Sequence, residues 1–312
     1  MLDDDSTPGQ VKHAPPFVSV IVPVLNMPGM IQRCLDALGK QTYPRDRFEI
    51  LVVDNGSHDN TRDVVKRHAV TLFAEEGVRS PYAARNLALR SAQGSVIALT
   101  DADCAPVPEW IERGVATLER EDAALVGGEV KFFFSPRKTY AEMFDSIANL
   151  EMRRSITRRG VAKTGNLMVR REVFDVIGPF QAEIRSGGDV LWTGAATRRG
   201  FKLVYAPQMI VHKQARQLRS LLKKQYRIGQ GHPRVWKAEG RPGSRQIRQL
   251  VTEALPPSPL GILGLIRERG TPDMKRKLIP IWAVAWACGL ASTLGRMRYY
   301  VRRAAGESHD AA

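Results

Sequence analysis

Cysteine is scarce. Cys34, Cys104 and Cys288 are the only three in 312 residues, far apart and without a C-x-x-C pair, which argues against a disulfide framework or a zinc site and leaves them as reduced, structural residues. Phosphate-cradling glycines are missing as well. No G-x-G-x-x-G follows the first apolar run, where Pro23 to Gly29 stand instead, and no G-x-x-x-x-G-K-[ST] occurs anywhere, so dinucleotide redox and P-loop chemistry are both disfavoured. Residues 1–16 have neither a basic n-region nor an apolar h-region; they carry Asp3, Asp4, Asp5 and three prolines. They read as a disordered tail without a signal peptide, and the main body is expected in the cytosol. Acidic residues thin out towards the end: the first 150 residues hold 16 Lys+Arg against 21 Asp+Glu, the rest 31 against 11. A basic excess in one part suggests an anionic partner, a membrane surface or nucleic acid. Aromatics at 7% and the lack of a basic-aromatic recognition motif speak against nucleic acid.

What the chain does hold is an alternation of apolar runs and helical spacings. Residues 17–24, 48–53, 70–73 and 94–100 are short apolar or β-branched runs bounded by turn residues, the pattern of strands. Between them Met30, Ile31, Cys34, Leu35 and Leu38, then Val64 to His68, then residues 82–89 recur at helical spacing. Strands alternating with helices imply right-handed crossovers and a mostly parallel, Rossmann-like sheet, so the fold class is α/β. Further on, 110–118, 140–153 and 171–177 are expected as helices, and 124–127, 130–134, 164–169 and 202–205 as strands. A glycine-rich loop, Ser186-Gly-Gly-Asp189, opens one more helix.

Carboxylates follow three of these elements. Asp101 and Asp103 end the fourth strand, and in extended chain residues i and i+2 point the same way, so both can face one divalent cation. A turn or helix cap is the alternative. Asp54, after the second strand, can accept from a ribose hydroxyl or base N–H, or cap the Asp-Asn-Gly-Ser turn. Asp189 can be a base or a helix cap. Without a glycine cradle, a carboxylate pair suggests phosphate charge neutralised through a metal.

Together the stretches Val18-Ser-Val-Ile-Val-Pro-Val-Leu-Asn26, Leu38-Gly-Lys-Gln-Thr-Tyr-Pro44, Ile50-Leu-Val-Val-Asp-Asn-Gly-Ser57, Ala83-Ala-Arg-Asn86 and Thr100-Asp-Ala-Asp-Cys104 resemble the inverting family 2 glycosyltransferases of the GT-A fold. The resemblance implies a nucleotide-sugar-binding domain over residues 17–213. By match, Pro23, Val24, Asn26 and Asp54 line the nucleotide pocket, Arg85 lies close to it, and Asp101 and Asp103 bind Mg²⁺ or Mn²⁺ on the sugar diphosphate. Asp189 falls where the family's Glu-Asp pair places its catalytic base, although Gly188 precedes it here. His212 falls where some relatives supply a metal contact; a structural histidine is the alternative. The implied reaction is metal-dependent, inverting transfer from a UDP-sugar to a hydroxyl acceptor, lipid-linked or polysaccharide. A nucleotidyltransferase would also seat carboxylates at a sheet edge, but it is expected to carry a glycine- and lysine-rich loop where Pro23 to Gly29 stand.

Residues 214–312 form a basic, helical region. Within it, 278–294 is seventeen residues without a charge, flanked by Lys275-Arg-Lys277 and by Arg296, Arg298, Arg302 and Arg303. That length is at the lower limit of about 17–25 for a membrane span. Spanning, interfacial and buried helices all remain open, and the basic flanks favour contact with anionic headgroups on the cytoplasmic face.

Overall fold

The computed structural model describes residues 14–304 apart from 185, 239 and 241. The expected tail over 1–16 therefore falls largely outside the described residues; at its end Arg47 Nε donates to Pro15 O at 2.9 Å and Tyr43 Oη to Pro16 O at 2.5 Å.

The first half alternates as its apolar pattern requires: β1 (Val18–Val24), α1 (Pro28–Leu38), β2 (Phe48–Asp54), α2 (Thr61–Val65), β3 (Thr71–Ala74), α3 (Pro81–Ser91) and β4 (Val96–Thr100). All five residues of β4 are buried, and fully burying each Val, Ile or Leu of such a run contributes about 1.5–3 kcal/mol. After β4 come β5 (Cys104–Pro106), α4 (Trp110–Arg120), β6 (Leu125–Phe133), α5 (Tyr140–Ala148), α6 (Met152–Arg159), β7 (Asn166–Arg170), α7 (Arg171–Ile177), α8 (Gly188–Arg198) and β8 (Leu203–Gln214).

Among the described residues the strands form one sheet in the order β3-β2-β1-β4-β7-β6-β8-β5. β1 runs parallel to β2 and β4, and β2 to β3. β7 is antiparallel to both β4 and β6, β6 is parallel to β8, and β5 is antiparallel to β8. The sheet is thus mixed, with parallel pairing from β3 to β4 and again between β6 and β8.

Two details depart from the sequence reading. The two strands expected over 124–134 are one, with the register to β8 shifting between Gly128 and Glu129. Asn166 holds that irregularity together, its Nδ2 donating to Glu129 O and Met209 O, both at 2.8 Å, while Trp110 Nε1 donates to its Oδ1 at 2.8 Å. The helix expected over 140–153 is two, because Leu150 takes a positive φ of 50° between α5 and α6.

Past β8 the chain is helical: α9 (Leu218–Ala238), α10 (Gly243–Ala254), α11 (Pro259–Arg269) and α12 (Leu278–Ala304). A second apolar cluster joins Met143, Phe144 and Ile147 of α5 to Leu221, Ile262, Ile266, Ile281, Ala285 and Cys288. α12 is long and apolar enough to cross a membrane, yet Ile281, Ala285, Cys288, Ser292, Arg296 and Tyr299 are turned into the protein. The buried Arg296 pairs with Glu253 of α10. The other side carries Ile279 at 79%, Leu294 at 58% and Val301 at 66% exposure.

Candidate active site

The carboxyl ends of β1, β2 and β4 open onto a cleft of about 910 Å³, closed on its far side by the loop before α8 and by α9. Parallel strands put their C-terminal ends at one edge, where ligands collect in α/β folds. Pro23, Val24, Arg85, Asp101, Asp103 and Asp189 all line it. Eight Lys and Arg face three Asp among its lining residues, so its field favours an anionic ligand.

Asp101 and Asp103 are held by cations. Arg85, 3% exposed, donates from Nη2 to Asp101 Oδ1 at 2.7 Å. Lys213 Nζ donates to Asp103 Oδ1, and Arg216 Nη2 to Asp103 Oδ2 at 3.0 Å. Burial pushes the Asp103 carboxyl up, but Lys213 and Arg216 outweigh it and hold the group down to about 2. Arg85 Nε and Arg216 Nη1 are buried without a hydrogen-bond partner, and orphaned buried donors in a cleft are groups a ligand can satisfy.

Asp189 stands in the first turn of α8, its Oδ1 accepting from Tyr82 Oη at 3.1 Å and from Val190 N at 2.9 Å. Burial, with the charge of Asp189 next, keeps the Tyr82 phenol protonated far above its usual range. A Cβ on Gly188, the residue before this aspartate, would lie 2.8 Å from Tyr82 Cε2, so a side chain there requires the ring to move. Gly187 supplies the preceding turn at φ 85°, a left-handed conformation that glycine adopts without penalty.

Three expected site residues lie outside the cleft lining. Asp54 is wholly buried, accepting from Ser57 N at 3.1 Å and Arg62 Nε at 2.6 Å; burial raises its pKa, but these bonds bring it below the ordinary value. Its neighbour Asn55 lines the cleft instead, 4% exposed and with Oδ1 unpartnered. Asn26 fastens the end of β1 to the turn after β2, its N–H donating to Ser57 Oγ at 2.8 Å and its Oδ1 accepting from His58 N at 2.9 Å. His212 does not reach Asp101 or Asp103: Met209, Val211 and Lys213 of β8 are buried while His212 between them is exposed. Side chains alternate along a strand, so the inward position beside the carboxylates belongs to Lys213.

The reading of the sequence also missed Tyr82, Arg216, Lys163 and Lys224, which complete the cleft. Burial pushes the Lys163 ammonium below its usual range against the pull of Asp189, and pushes Lys224 down to about 7, the charges of Arg216, Lys213 and Lys163 adding to burial and Asp145 opposing it. Asp145 of α5 ties this side together, accepting from Arg216 N at 2.9 Å, Asn149 Nδ2 at 2.8 Å and Lys224 Nζ at 3.4 Å.

A divalent ion finds suitable ligands here, since oxygens of Asp101 and Asp103 and Cys104 Sγ lie within 4.8 Å of one another, and carboxylates are the hard donors that Mg²⁺ and Mn²⁺ prefer.

Comparison with known proteins agrees with this architecture. The profile of Glycosyl transferase family 2 matches residues 19–182. Glycosyltransferase AglE of Haloferax volcanii is 40% identical over 296 residues, covering 92% of this chain and 97% of the relative. Among solved structures, the mannosyltransferase PcManGT of Pyrobaculum calidifontis, in complex with GDP-Man and Mn²⁺, superposes with a TM-score of 0.57 at 23% identity over 95% of this chain and 77% of that one. TarS 1-349 of S. aureus with UDP-GlcNAc does so with 0.53 at 18% identity, over 90% and 91%. With the strand-end cleft, these matches make the chain a glycosyltransferase of family 2 with the GT-A fold.

Proposed function

We propose that the chain moves a sugar from a nucleoside diphosphate donor to an acceptor hydroxyl in one inverting step. The observation that carries the reading is the pairing, in one cleft, of a carboxylate on a helix start, Asp189, with the cation-bound pair Asp101 and Asp103. The unpartnered Asn55 Oδ1 suits a base with a ring N–H, as in uracil, and a UDP-sugar is the first donor to test. Pro23 and Val24 wall that end of the cleft, while Asp54 and Asn26 fix the turn that presents Asn55. Arg85 Nε and Arg216 Nη1 make no hydrogen bond, although Arg216 Nη1 lies 3.8 Å from Asp145 Oδ2, and these guanidinium groups suit diphosphate oxygens through the charge-assisted bonds that phosphate recognition uses.

Asp189 is the base in this reading. Tyr82 holds its Oδ1, which leaves Oδ2 to take the acceptor proton as the acceptor oxygen bonds to the anomeric carbon. The carbon–oxygen bond to the diphosphate breaks on the opposite face, and the leaving group departs with the electron pair. Asp101 and Asp103 would hold Mg²⁺ or Mn²⁺, which when bound neutralises the leaving-group charge. Residues 17–213 hold Asp101, Asp103 and Asp189, while residues 214–312 add Arg216 and Lys224 to the cleft and are read as the region that meets the acceptor.

The exposed apolar side of α12, with Lys275, Arg276, Arg298 and Arg303 exposed beside it, is read as lying on the cytoplasmic face of an anionic membrane, where a lipid-linked acceptor would be presented. An apolar stripe with basic flanks fits an interfacial helix, and the buried Arg296 face fits a helix that stays packed on its domain.

Purified protein offered a panel of nucleotide sugars with acceptor, with and without Mn²⁺ or EDTA, should release nucleoside diphosphate from one donor class. No release and no binding of any donor would refute the reading.

A further inference from the structure

One ammonium reaches all three members of the Asp101, Asp103 and Cys104 cluster. Lys213 Nζ donates to Asp103 Oδ1, stands 3.5 Å from Cys104 Sγ and lies 3.8 Å from Asp101 Oδ2. Its side chain is 2% exposed. The backbone fixes this placement, because Lys213 pairs with Cys104 across the β5–β8 ladder and the parity of β8 turns it inward. Arg216 takes the second oxygen of Asp103 and Arg85 takes Asp101 Oδ1. Before any ligand arrives, two carboxylates are already matched by three cationic side chains.

A divalent ion entering this cluster would meet Lys213 at once. Like charges a few ångströms apart repel strongly where water is largely excluded, and the ammonium has no other carboxylate within ion-pair reach among the described residues. A nucleoside diphosphate changes the balance, since it brings anionic oxygens that a lysine and two arginines can share.

We propose that Lys213 is the resident cation of the Asp101–Asp103 site, that it and a divalent metal ion exclude one another there, and that metal and donor diphosphate consequently enter as a coupled pair. The inference rests on the proposed donor class. Coupling of this kind is reciprocal: a diphosphate that tightens the metal is tightened by it to the same factor. In effect the lysine keeps the carboxylates paired when no donor is present, and it makes metal affinity a property of the occupied cleft.

The test measures Mn²⁺ binding to the full chain by electron paramagnetic resonance of the free ion, alone and with UDP or GDP, for wild type, Lys213→Gln, Lys213→Arg and Asp103→Asn. Wild type should bind Mn²⁺ alone weakly, and the diphosphate should tighten it about tenfold or more. Lys213→Gln should bind Mn²⁺ alone about tenfold more tightly than wild type and lose most of the coupling, Lys213→Arg should keep it, and Asp103→Asn should lose Mn²⁺ in every condition. Equal Mn²⁺ affinity of wild type and Lys213→Gln, or a wild-type affinity that ignores the diphosphate while the diphosphate binds, overturns the proposal. Should Lys213→Gln fail to fold by circular dichroism, Lys213→Met, which keeps most of the stem without the charge, takes its place in the comparison with wild type in Mn²⁺ alone. If neither diphosphate binds with or without metal, the donor reading fails instead, and the comparison of Lys213→Gln with wild type in Mn²⁺ alone still decides this one.

Discussion

The Tyr82 ring occupies the space that a Cβ on Gly188 would need, directly before Asp189. Gly188→Ala should push the ring and cost about 1–3 kcal/mol in chemical denaturation, as overpacking in a fitted interior does; it should also slow transfer by displacing the partner of Asp189. A variant as stable and active as wild type would show that the ring yields freely. Lys224 gives a second prediction, through pH. Its folded pKa of about 7 lies below the usual lysine value, so the ammonium is lost as pH rises through 7. Nucleoside diphosphate binding should therefore weaken from about pH 6 to pH 8.5, and Lys224→Met should flatten that slope in titration calorimetry; a slope unchanged by the substitution would assign it to another group. At this scale the sequence was legible in residue type but not in direction. Asp101, Asp103, Arg85 and Asp189 were named from motifs, and all four line the cleft. Asn55 and Lys213 were each missed by one position, because in extended chain adjacent side chains face opposite ways and no composition reveals which one looks into the cleft.

The elements that bound the cleft depend on close helix packing. A Cβ on Gly229 of α9 would overlap Ser292 O of α12, and one on Gly295 would overlap Tyr226 O, so both helices approach at small residues. Gly229→Val should destabilise the chain by several kcal/mol, on the order of the larger overpacking costs, because backbone has to move. Gly264, within α11 and with no atom near its Cβ position, is the contrast: Gly264→Ala should stabilise by roughly 0.5–1 kcal/mol. Paired thermal melts check both, and similar shifts would mean that the α9–α12 contact is loose. Long apolar runs made β1, β2 and β4 readable, and helical spacing did the same for α1 and α4. β5 has only three residues, too short for periodicity, and the break between α5 and α6 lies at Leu150, a residue type that does not announce a positive φ. α5, which precedes β7, packs with the C-terminal helices, a tertiary choice that local sequence does not encode.

Across the whole molecule the charge imbalance and the apolar side of α12 fall in the same half of the chain. If that surface meets a membrane, vesicles containing anionic lipid should pellet the full chain and neutral vesicles should not. High salt should weaken the association through screening, and the triple substitution of Ile279, Leu294 and Val301 by Ser should lower partitioning about tenfold or more by removing buried apolar area; unaltered partitioning would move the contact elsewhere. The central claim is that one cleft binds the donor through Asp101 and Asp103 and transfers the sugar through Asp189. Donor affinity and transfer rate measured side by side for Asp103→Asn and Asp189→Asn test it most directly. Asp103→Asn should lose donor binding in the presence of Mn²⁺, and Asp189→Asn should bind donor as wild type does while transfer falls about 10²–10⁴-fold, the usual share of a general base. Undiminished transfer by Asp189→Asn, or undiminished donor binding by Asp103→Asn, would contradict the account.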